Sequence, residues 1–115
     1  MIIRALALVL ALAAAQLAQG IAMRMNLADP AVATPAHIGL GVVTFLILMG
    51  LTRSTRREKL RISADVAFLT LLFVVQGIAG LFILAEVEAA SLIHLGLSFF
   101  IVAASASTLV LSASS

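Results

Sequence analysis

The sequence contains one short segment twice, and each copy carries one of the chain's two histidines. Residues 37–40 (HIGL) align with residues 94–97 (HLGL), and the offset between the histidines is 94 − 37 = 57. A fixed internal period indicates that one structural unit is repeated. We therefore interpret the chain as two copies of one helical hairpin, about 1–57 and 58–115, that each contribute a histidine to a shared site.

A second pair of segments has the same offset. Gln19-Gly-Ile-Ala recurs letter for letter as Gln76-Gly-Ile-Ala, and 76 − 19 = 57. Thr34 and Ser91, each three residues before its histidine, also keep this spacing. The order of the matched segments along both halves supports a duplication of the whole hairpin.

Composition restricts the class of protein. Of the 115 residues 63% are hydrophobic and only 10% are charged, so we expect one domain whose surrounding solvent is a lipid bilayer. The absence of cysteine excludes a disulfide, an iron–sulfur cluster and a thiolate metal site. The formal net charge of +2 is small, and the basic residues are concentrated in one loop, which indicates membrane orientation and not nucleic-acid binding.

Four apolar segments are long enough to span a bilayer, at about 3–25, 35–52, 63–85 and 91–112. The first also resembles a secretory signal, because Arg4 precedes an apolar run that ends in small residues. The repeat makes that alternative weaker, since the Gln-Gly-Ile-Ala of the first span has its twin inside the third. The predicted fold is an all-α integral membrane protein with a four-transmembrane-helix bundle.

Hydroxyl residues mark three predicted helix starts. Thr34 precedes Pro35 and is predicted to be the N-cap of the second span, with proline in the first turn. Ser63 and Ser91 are the predicted N-caps of the third and fourth spans. These starts place each histidine about one turn inside its helix.

The loop at 53–61 contains five basic residues and one acid, so it is predicted to stay in the cytoplasm. Both termini are then cytoplasmic, and the loops at 26–34 and 86–90 lie outside the cell membrane. Because both hairpins enter the bilayer in the same direction, a pseudo-two-fold axis along the membrane normal can relate them. That axis places His37 and His94 at equal depth, near the outer surface.

An imidazole inside a lipid-embedded segment needs a partner and indicates a functional site. His37 and His94 could ligate a haem iron from both faces, bind a bare metal ion, or hydrogen-bond across the bundle. A bare zinc or iron ion needs three or four protein ligands, and no carboxylate or thiol is in register with the histidines. Haem needs only the two axial ligands. Haem ligation is therefore the favoured interpretation, and a structural pair remains the main alternative.

Residues near the histidines have two interpretations each. Gln19 and Gln76 could bind a ligand or join helices by hydrogen bonds, and Gly39 and Gly96 could admit a flat macrocycle or allow close helix packing. Arg24 breaks the repeat and lies near the outer end of the first span. It is a candidate partner for a haem propionate, or else an interfacial anchor.

The segments around the histidines resemble the haem A synthase family, membrane proteins of cytochrome oxidase assembly that act on haem O. Members usually have eight spans in two similar halves, and each half carries a histidine at the outer start of its second and fourth spans. The chain resembles one such half over nearly its whole length. The segments that carry the resemblance are 36–40, 92–97 and 75–80, together with 16–20 followed by Arg24.

The resemblance implies haem held between His37 and His94. Haem b is the expected cofactor, and haem O or haem A would be substrate or product. A half-size chain would associate with itself or with a partner membrane subunit. Two features depart from the family: Thr34 stands where the substrate-binding half has a glutamate, and the cysteine pair of many members is absent.

Three functions follow from these observations. The chain could be a compact haem A synthase-like oxidoreductase, a haem b electron-transfer cytochrome, or a haem-free membrane subunit. The two histidines favour the first two. Thr34 favours the cytochrome, and the resemblance along the whole chain gives a slight preference for the enzyme.

Overall fold

A computed structural model describes residues 1–114 and is all-helical over that range. It contains helices α1 (Ile2–Arg24), α2 (Pro30–Arg57), α3 (Ser63–Leu84) and α4 (Glu88–Ala113). All four are long and apolar enough to cross a membrane. The prediction of an all-helical chain with four helices long and apolar enough to span a membrane is confirmed.

The four helices form a square bundle about 42 Å long and 21 Å by 19 Å across. α1 packs against α2 and α4, and α3 packs against the same two helices. Among the described residues the diagonal pairs, α1 with α3 and α2 with α4, make no close backbone contact. Because the connections at 25–29, 58–62 and 85–87 are short, helices adjacent in the chain run antiparallel.

The two ends of the bundle differ in chemistry. One end, here called the terminal half, holds the start of α1, the end of α4 and the turn at 58–62, and the other, the histidine half, holds the turns at 25–29 and 85–87. Most of the tightly packed apolar core lies toward the terminal half and includes Leu6, Val9, Leu48, Leu51, Val66 and Leu69. Large apolar side chains such as Leu46, Leu71 and Phe99 are exposed on the outer surface, as expected of helices surrounded by lipid.

The structure shows that the prediction of the α2 start was wrong. α2 begins at Pro30, and the Asp29 carboxylate accepts a hydrogen bond of 3.0 Å from the Ala31 N–H. Thr34 and Pro35 therefore lie inside the helix. Asp29-Pro30 provides the same combination of N-cap and first-turn proline, and starting there adds more than one turn of hydrogen-bonded backbone.

The predicted caps of α3 and α4 were also wrong. Ser63 is the first residue of α3, whose N-cap is Ile62. α4 begins at Glu88 after the N-cap Val87, so Ser91 lies within its first turn. Because α2 and α4 start earlier than predicted, each histidine lies about two turns inside its helix.

Three helices end in the same backbone motif. The residue after each C-cap has a left-handed φ: 56° at Asn26, 53° at Lys59 and 62° at Glu86. After α3, for example, the Val87 N–H bonds to the Phe82 carbonyl at 3.0 Å and the Glu86 N–H bonds to the Ile83 carbonyl at 2.9 Å. This is the Schellman arrangement, which reverses the chain within a few residues while satisfying terminal carbonyls.

Candidate functional site

The two histidines meet across the bundle in its histidine half. His37 on α2 and His94 on α4 have ring centroids 5.9 Å apart, and the ring planes are inclined at 66°. Both side chains are half-buried. The diagonal helices therefore approach each other through these two imidazoles, although their backbones make no close contact.

The hydrogen bonds of His94 determine its tautomer. Its Nδ1 lies 3.0 Å from the backbone carbonyl oxygen of Gln76 on α3. Because a carbonyl oxygen only accepts, Nδ1 must carry the proton, and a neutral ring then has its lone pair on Nε2. The side-chain amide of Gln76 donates toward this Nε2 over 3.4 Å and also donates to Ser98 Oγ.

His37 has a related but weaker arrangement. Its Nδ1 lies 3.4 Å from the side-chain Oε1 of Gln19 on α1. The amide oxygen can only accept, so Nδ1 is again the protonated nitrogen and Nε2 again holds the lone pair. The structure thus pairs Gln19 with His37 and Gln76 with His94, and in both pairs the glutamine precedes the histidine by 18 residues.

Gln76 is the more buried glutamine and its side chain is incompletely paired. It is 9% exposed, and its Oε1 is buried without a hydrogen-bond partner among residues 1–114. An unpaired amide oxygen in an apolar interior costs about 1–3 kcal/mol. This acceptor is available to a group that enters the bundle beside His94.

The side-chain hydrogen bond of Arg24 is not to an imidazole. Its Nη1 donates to Ser91 Oγ at 2.9 Å, which joins the end of α1 to the start of α4. Ser91 lies three residues before His94 on the same helix, so the guanidinium is held near the end of the histidine site that is closest to the turns at 25–29 and 85–87. Ser91 is also the residue that matches Thr34 in the other hairpin.

The structure places Gly39 and Gly96 away from tight contacts. Both are exposed, and a Cβ added at either would meet nothing within 4 Å. Neither therefore permits a close approach of helices. The glycine that touches the site is Gly80, where an added Cβ would lie 3.4 Å from His94 Cε1.

Sequence reasoning missed two residues at this site, Gly80 and Ser98. Each lies four residues after a site residue on the same helix, Gly80 after Gln76 and Ser98 after His94. Residues at i and i+4 share a helix face, so this spacing was the available signal. Ser98 also donates to the backbone carbonyl of His94 at 2.8 Å.

The site offers few protein ligands, so it suits a metal whose other ligands come from a bound cofactor. Within the described part of the chain, no cluster of three or more histidine, cysteine or carboxylate side chains is present. The histidine half offers two imidazoles with parallel tautomers and two side-chain amides. Two imidazole nitrogens are the ligand set that a haem iron needs from a protein.

Comparisons with models of protein families, with curated proteins and with solved structures found no match to this chain.

Proposed function

We propose that this chain is a membrane haem protein in which His37 and His94 are the axial ligands of one haem iron. The observation that carries the proposal is the 5.9 Å separation of the two ring centroids. An iron between two imidazoles separates their centroids by about 6 Å, because each metal–nitrogen bond is about 2 Å and each nitrogen lies about 1 Å from its ring centre. The rings therefore already have nearly the spacing of an axial ligand pair.

The hydrogen bonds on the far side of each ring support the same proposal. Metal-binding histidines usually donate their second N–H to a carbonyl, carboxylate or amide, which fixes the tautomer and the ring orientation. His94 does so through the Gln76 carbonyl and His37 through the Gln19 amide. For haem to enter between the rings, the Gln76 side-chain nitrogen must give up its hydrogen bond to His94 Nε2. The Gln76 Oε1 has no hydrogen bond that this movement would break.

Burial along α2 and α4 supports the duplicated hairpin that the proposal assumes. Three buried residues of α2 correspond, at an offset of 57, to buried residues of α4: Thr44 with Ile101, Leu48 with Ser105, and Leu51 with Thr108. The two helices thus turn equivalent faces toward the bundle centre. We propose that a pseudo-two-fold axis along the membrane normal relates the hairpins, with both termini in the cytoplasm and the haem near the outer face.

Electron transfer is the activity that these residues support best. Haem iron held by two protein nitrogens exchanges one electron between its ferric and ferrous states. His37 and His94 would supply both axial nitrogens. Arg24, which is fixed beside Ser91, would neutralise a propionate at the outer edge. The corresponding variant, Arg24→Ala, should retain haem more weakly than the unmodified protein.

The test is the optical spectrum of the protein purified in detergent. We expect a sharp reduced α-band, a pyridine haemochrome that identifies haem b, and loss or gross alteration of the α-band in both His37→Ala and His94→Ala. Thr108→Ala, which changes a buried polar side chain of α4 in the terminal half, is the matched control and should keep the spectrum. Unchanged spectra in both histidine variants would remove the proposed site.

A haem-free structural pair is the second candidate for the two histidines. It is favoured by the direct T-shaped contact of the rings, which needs no intervening group. In that case the purified protein should carry no haem after expression with excess haem precursor, and both alanine variants should lose thermal stability.

Haem A synthesis is a further candidate activity, and the resemblance of segments 36–40, 75–80 and 92–97 to the haem A synthase family supports it. None of the hydrogen bonds described around the histidines includes a carboxylate. Thr34 and Ser91 stand three residues before the two histidines, the position at which the family's substrate-binding half has a glutamate. Co-expression with a haem O source should yield haem A in extracted pigments if the chain is a synthase. Recovery of haem O alone, with the cytochrome spectrum intact, would leave electron transfer.

A further inference from the structure

A groove opens toward the surrounding medium between α2 and α3, in the terminal half of the bundle and apart from the histidines. Its volume is about 520 Å³, within the range of about 300–1,000 Å³ typical of ligand sites. The α2 wall is formed by residues 45, 49, 52, 53 and 56, which share one face of the helix, and Thr70 and Val74 form the α3 wall.

The chemistry of the groove changes in order along its length. Phe45, Met49 and Val74 make its deeper part apolar. From Phe45 to Arg56 the α2 wall rises roughly 16 Å, at about 1.5 Å per residue, and ends at the last turn of the helix. The groove therefore extends from an apolar part of the bundle surface near Phe45 to the level of the turn at 58–62.

Two threonines lie between the apolar part and the charged end. Thr52 Oγ1 and Thr70 Oγ1 are 2.8 Å apart, so they join α2 to α3 at the floor of the groove. Each hydroxyl has one proton, so one threonine donates to the other, and the accepting threonine donates to a carbonyl of its own helix, Leu48 for Thr52 or Val66 for Thr70. The two hydroxyls make the groove polar at this level, and their hydrogen bond fixes the distance between α2 and α3 there.

The charged end consists of Arg53 and Arg56. Both side chains are exposed, and neither guanidinium forms a hydrogen bond or ion pair with another residue of the described range. Arg24, by contrast, is bonded to Ser91. Two adjacent guanidinium groups without protein partners, at the mouth of an apolar groove, are complementary to an anionic group attached to a hydrocarbon chain.

We propose that this groove binds one anionic glycerophospholipid. Its phosphate lies against Arg53 and Arg56, its glycerol region at the level of Thr52 and Thr70, and an acyl chain lies along the apolar part. Basic pockets between membrane helices bind anionic head groups. Basic residues anywhere near the helix end are enough to keep the loop in the cytoplasm. Lipid binding in the groove depends specifically on Arg53 and Arg56, which line it. The proposal does not depend on haem binding.

Native mass spectrometry of the protein in detergent tests the site, with phosphatidylglycerol and phosphatidylcholine of identical acyl chains as probes. We expect one phosphatidylglycerol per chain and weaker phosphatidylcholine binding. The double variant R53Q/R56Q should bind phosphatidylglycerol about 30-fold more weakly, from about 1 kcal/mol for each basic residue near an anionic surface. The matched control R57Q/K59Q removes the same charge outside the groove and should stay within about threefold of the unmodified protein.

A variant that leaves every charge in place distinguishes binding in the groove from attraction to the basic residues alone. Val74→Trp fills the apolar part from its half-exposed edge and should reduce phosphatidylglycerol binding with every arginine in place. Met49→Trp, from the opposite wall, repeats the test if Val74→Trp does not fold by circular dichroism. Equal losses in the two double variants, equal binding of the two lipids, unchanged binding in the tryptophan variant, or displacement by millimolar inorganic phosphate would each overturn the proposal.

Discussion

At the scale of single residues, the two histidines are held differently. His94 donates to a backbone carbonyl at 3.0 Å, and its ring edge lies against Gly80. His37 instead donates to the side-chain oxygen of Gln19 over 3.4 Å, a distance at which a hydrogen bond is weak. His94 is therefore the preorganised ligand, and His37 is the ring with more freedom to adjust when a group enters between them.

Gly80 provides a test of this packing. A valine there would add carbons beyond a Cβ that already lies 3.4 Å from His94 Cε1, so Gly80→Val should displace the ring and lower the ratio of haem absorbance to protein. Gly77→Val is the control, because a Cβ at Gly77 meets nothing within 4 Å. We also expect Gly80→Val to unfold at a lower temperature than Gly77→Val, corresponding to about 1–3 kcal/mol of overpacking. Equal haem content in the two variants would show that the ring position does not depend on Gly80.

At the scale of helices, two of the three Schellman turns have a residue in the left-handed conformation whose side chain disfavours that conformation. A left-handed residue other than glycine or asparagine costs roughly 1–2 kcal/mol. Lys59 and Glu86 have this conformation, with φ of 53° and 62°. The turns persist because the terminal carbonyls of α2 and α3 are satisfied by the following N–H groups.

Replacing Glu86 with glycine should therefore stabilise the protein. Glu86→Gly removes the strain at φ 62° and should raise the free energy of unfolding by about 1 kcal/mol, measured by thermal unfolding in a mild detergent. Glu88→Gly is the matched control, because it removes the same charge only two residues away but at the first position of α4. It should destabilise the protein by about 0.5–1 kcal/mol, since a helical residue and a favourable charge near the helix N-terminus are both lost. Changes of the same sign in the two variants would contradict the strain at Glu86.

The helices could be predicted from sequence more accurately than their ends. Four long apolar runs predicted four helices, and the predicted ends lie within three residues of the observed ends except in α2, which extends five residues further at each end. The start of α2 was misplaced because two prolines each follow an N-cap residue, and the rule does not choose between Asp29-Pro30 and Thr34-Pro35. The Schellman turns after α2 and α3 gave no signal, because lysine and glutamate stand where glycine is usual.

At the scale of the whole molecule, the proximity of His37 and His94 follows from the order of the helices. The four helices follow one another around the bundle, so α2 and α4 lie on one diagonal, and His37 and His94 meet across the centre. The matched spacing of the two histidines predicted that they share a site, and their ring centroids lie 5.9 Å apart. The i, i+4 spacing placed Gly80 on the face of Gln76 and Ser98 on the face of His94. Which face of each helix turns toward the site depends on how far the helix is rotated about its axis, and a helix that is apolar all round does not encode that rotation sharply.

Orientation in the membrane is a property of the whole chain, and it determines which compartment the histidine site faces. The basic run at 53–61 should keep the turn between α2 and α3 in the cytoplasm. Because the chain contains no cysteine, single cysteines report position directly. Leu27→Cys, between α1 and α2, should react with a membrane-impermeant maleimide in intact cells. Lys59→Cys should react only after permeabilisation.

Val87→Cys, in the turn between α3 and α4, serves as the control because it should behave like Leu27→Cys if the chain crosses the membrane four times. Labelling of Lys59→Cys alone in intact cells would invert the topology and place His37 and His94 near the cytoplasmic face. An electron donor or acceptor of the haem would then have to be sought in that compartment. Labelling at both Leu27 and Lys59 in intact cells would instead mean that α2 does not cross the bilayer, and the diagonal contact of the two imidazoles would not survive in the membrane.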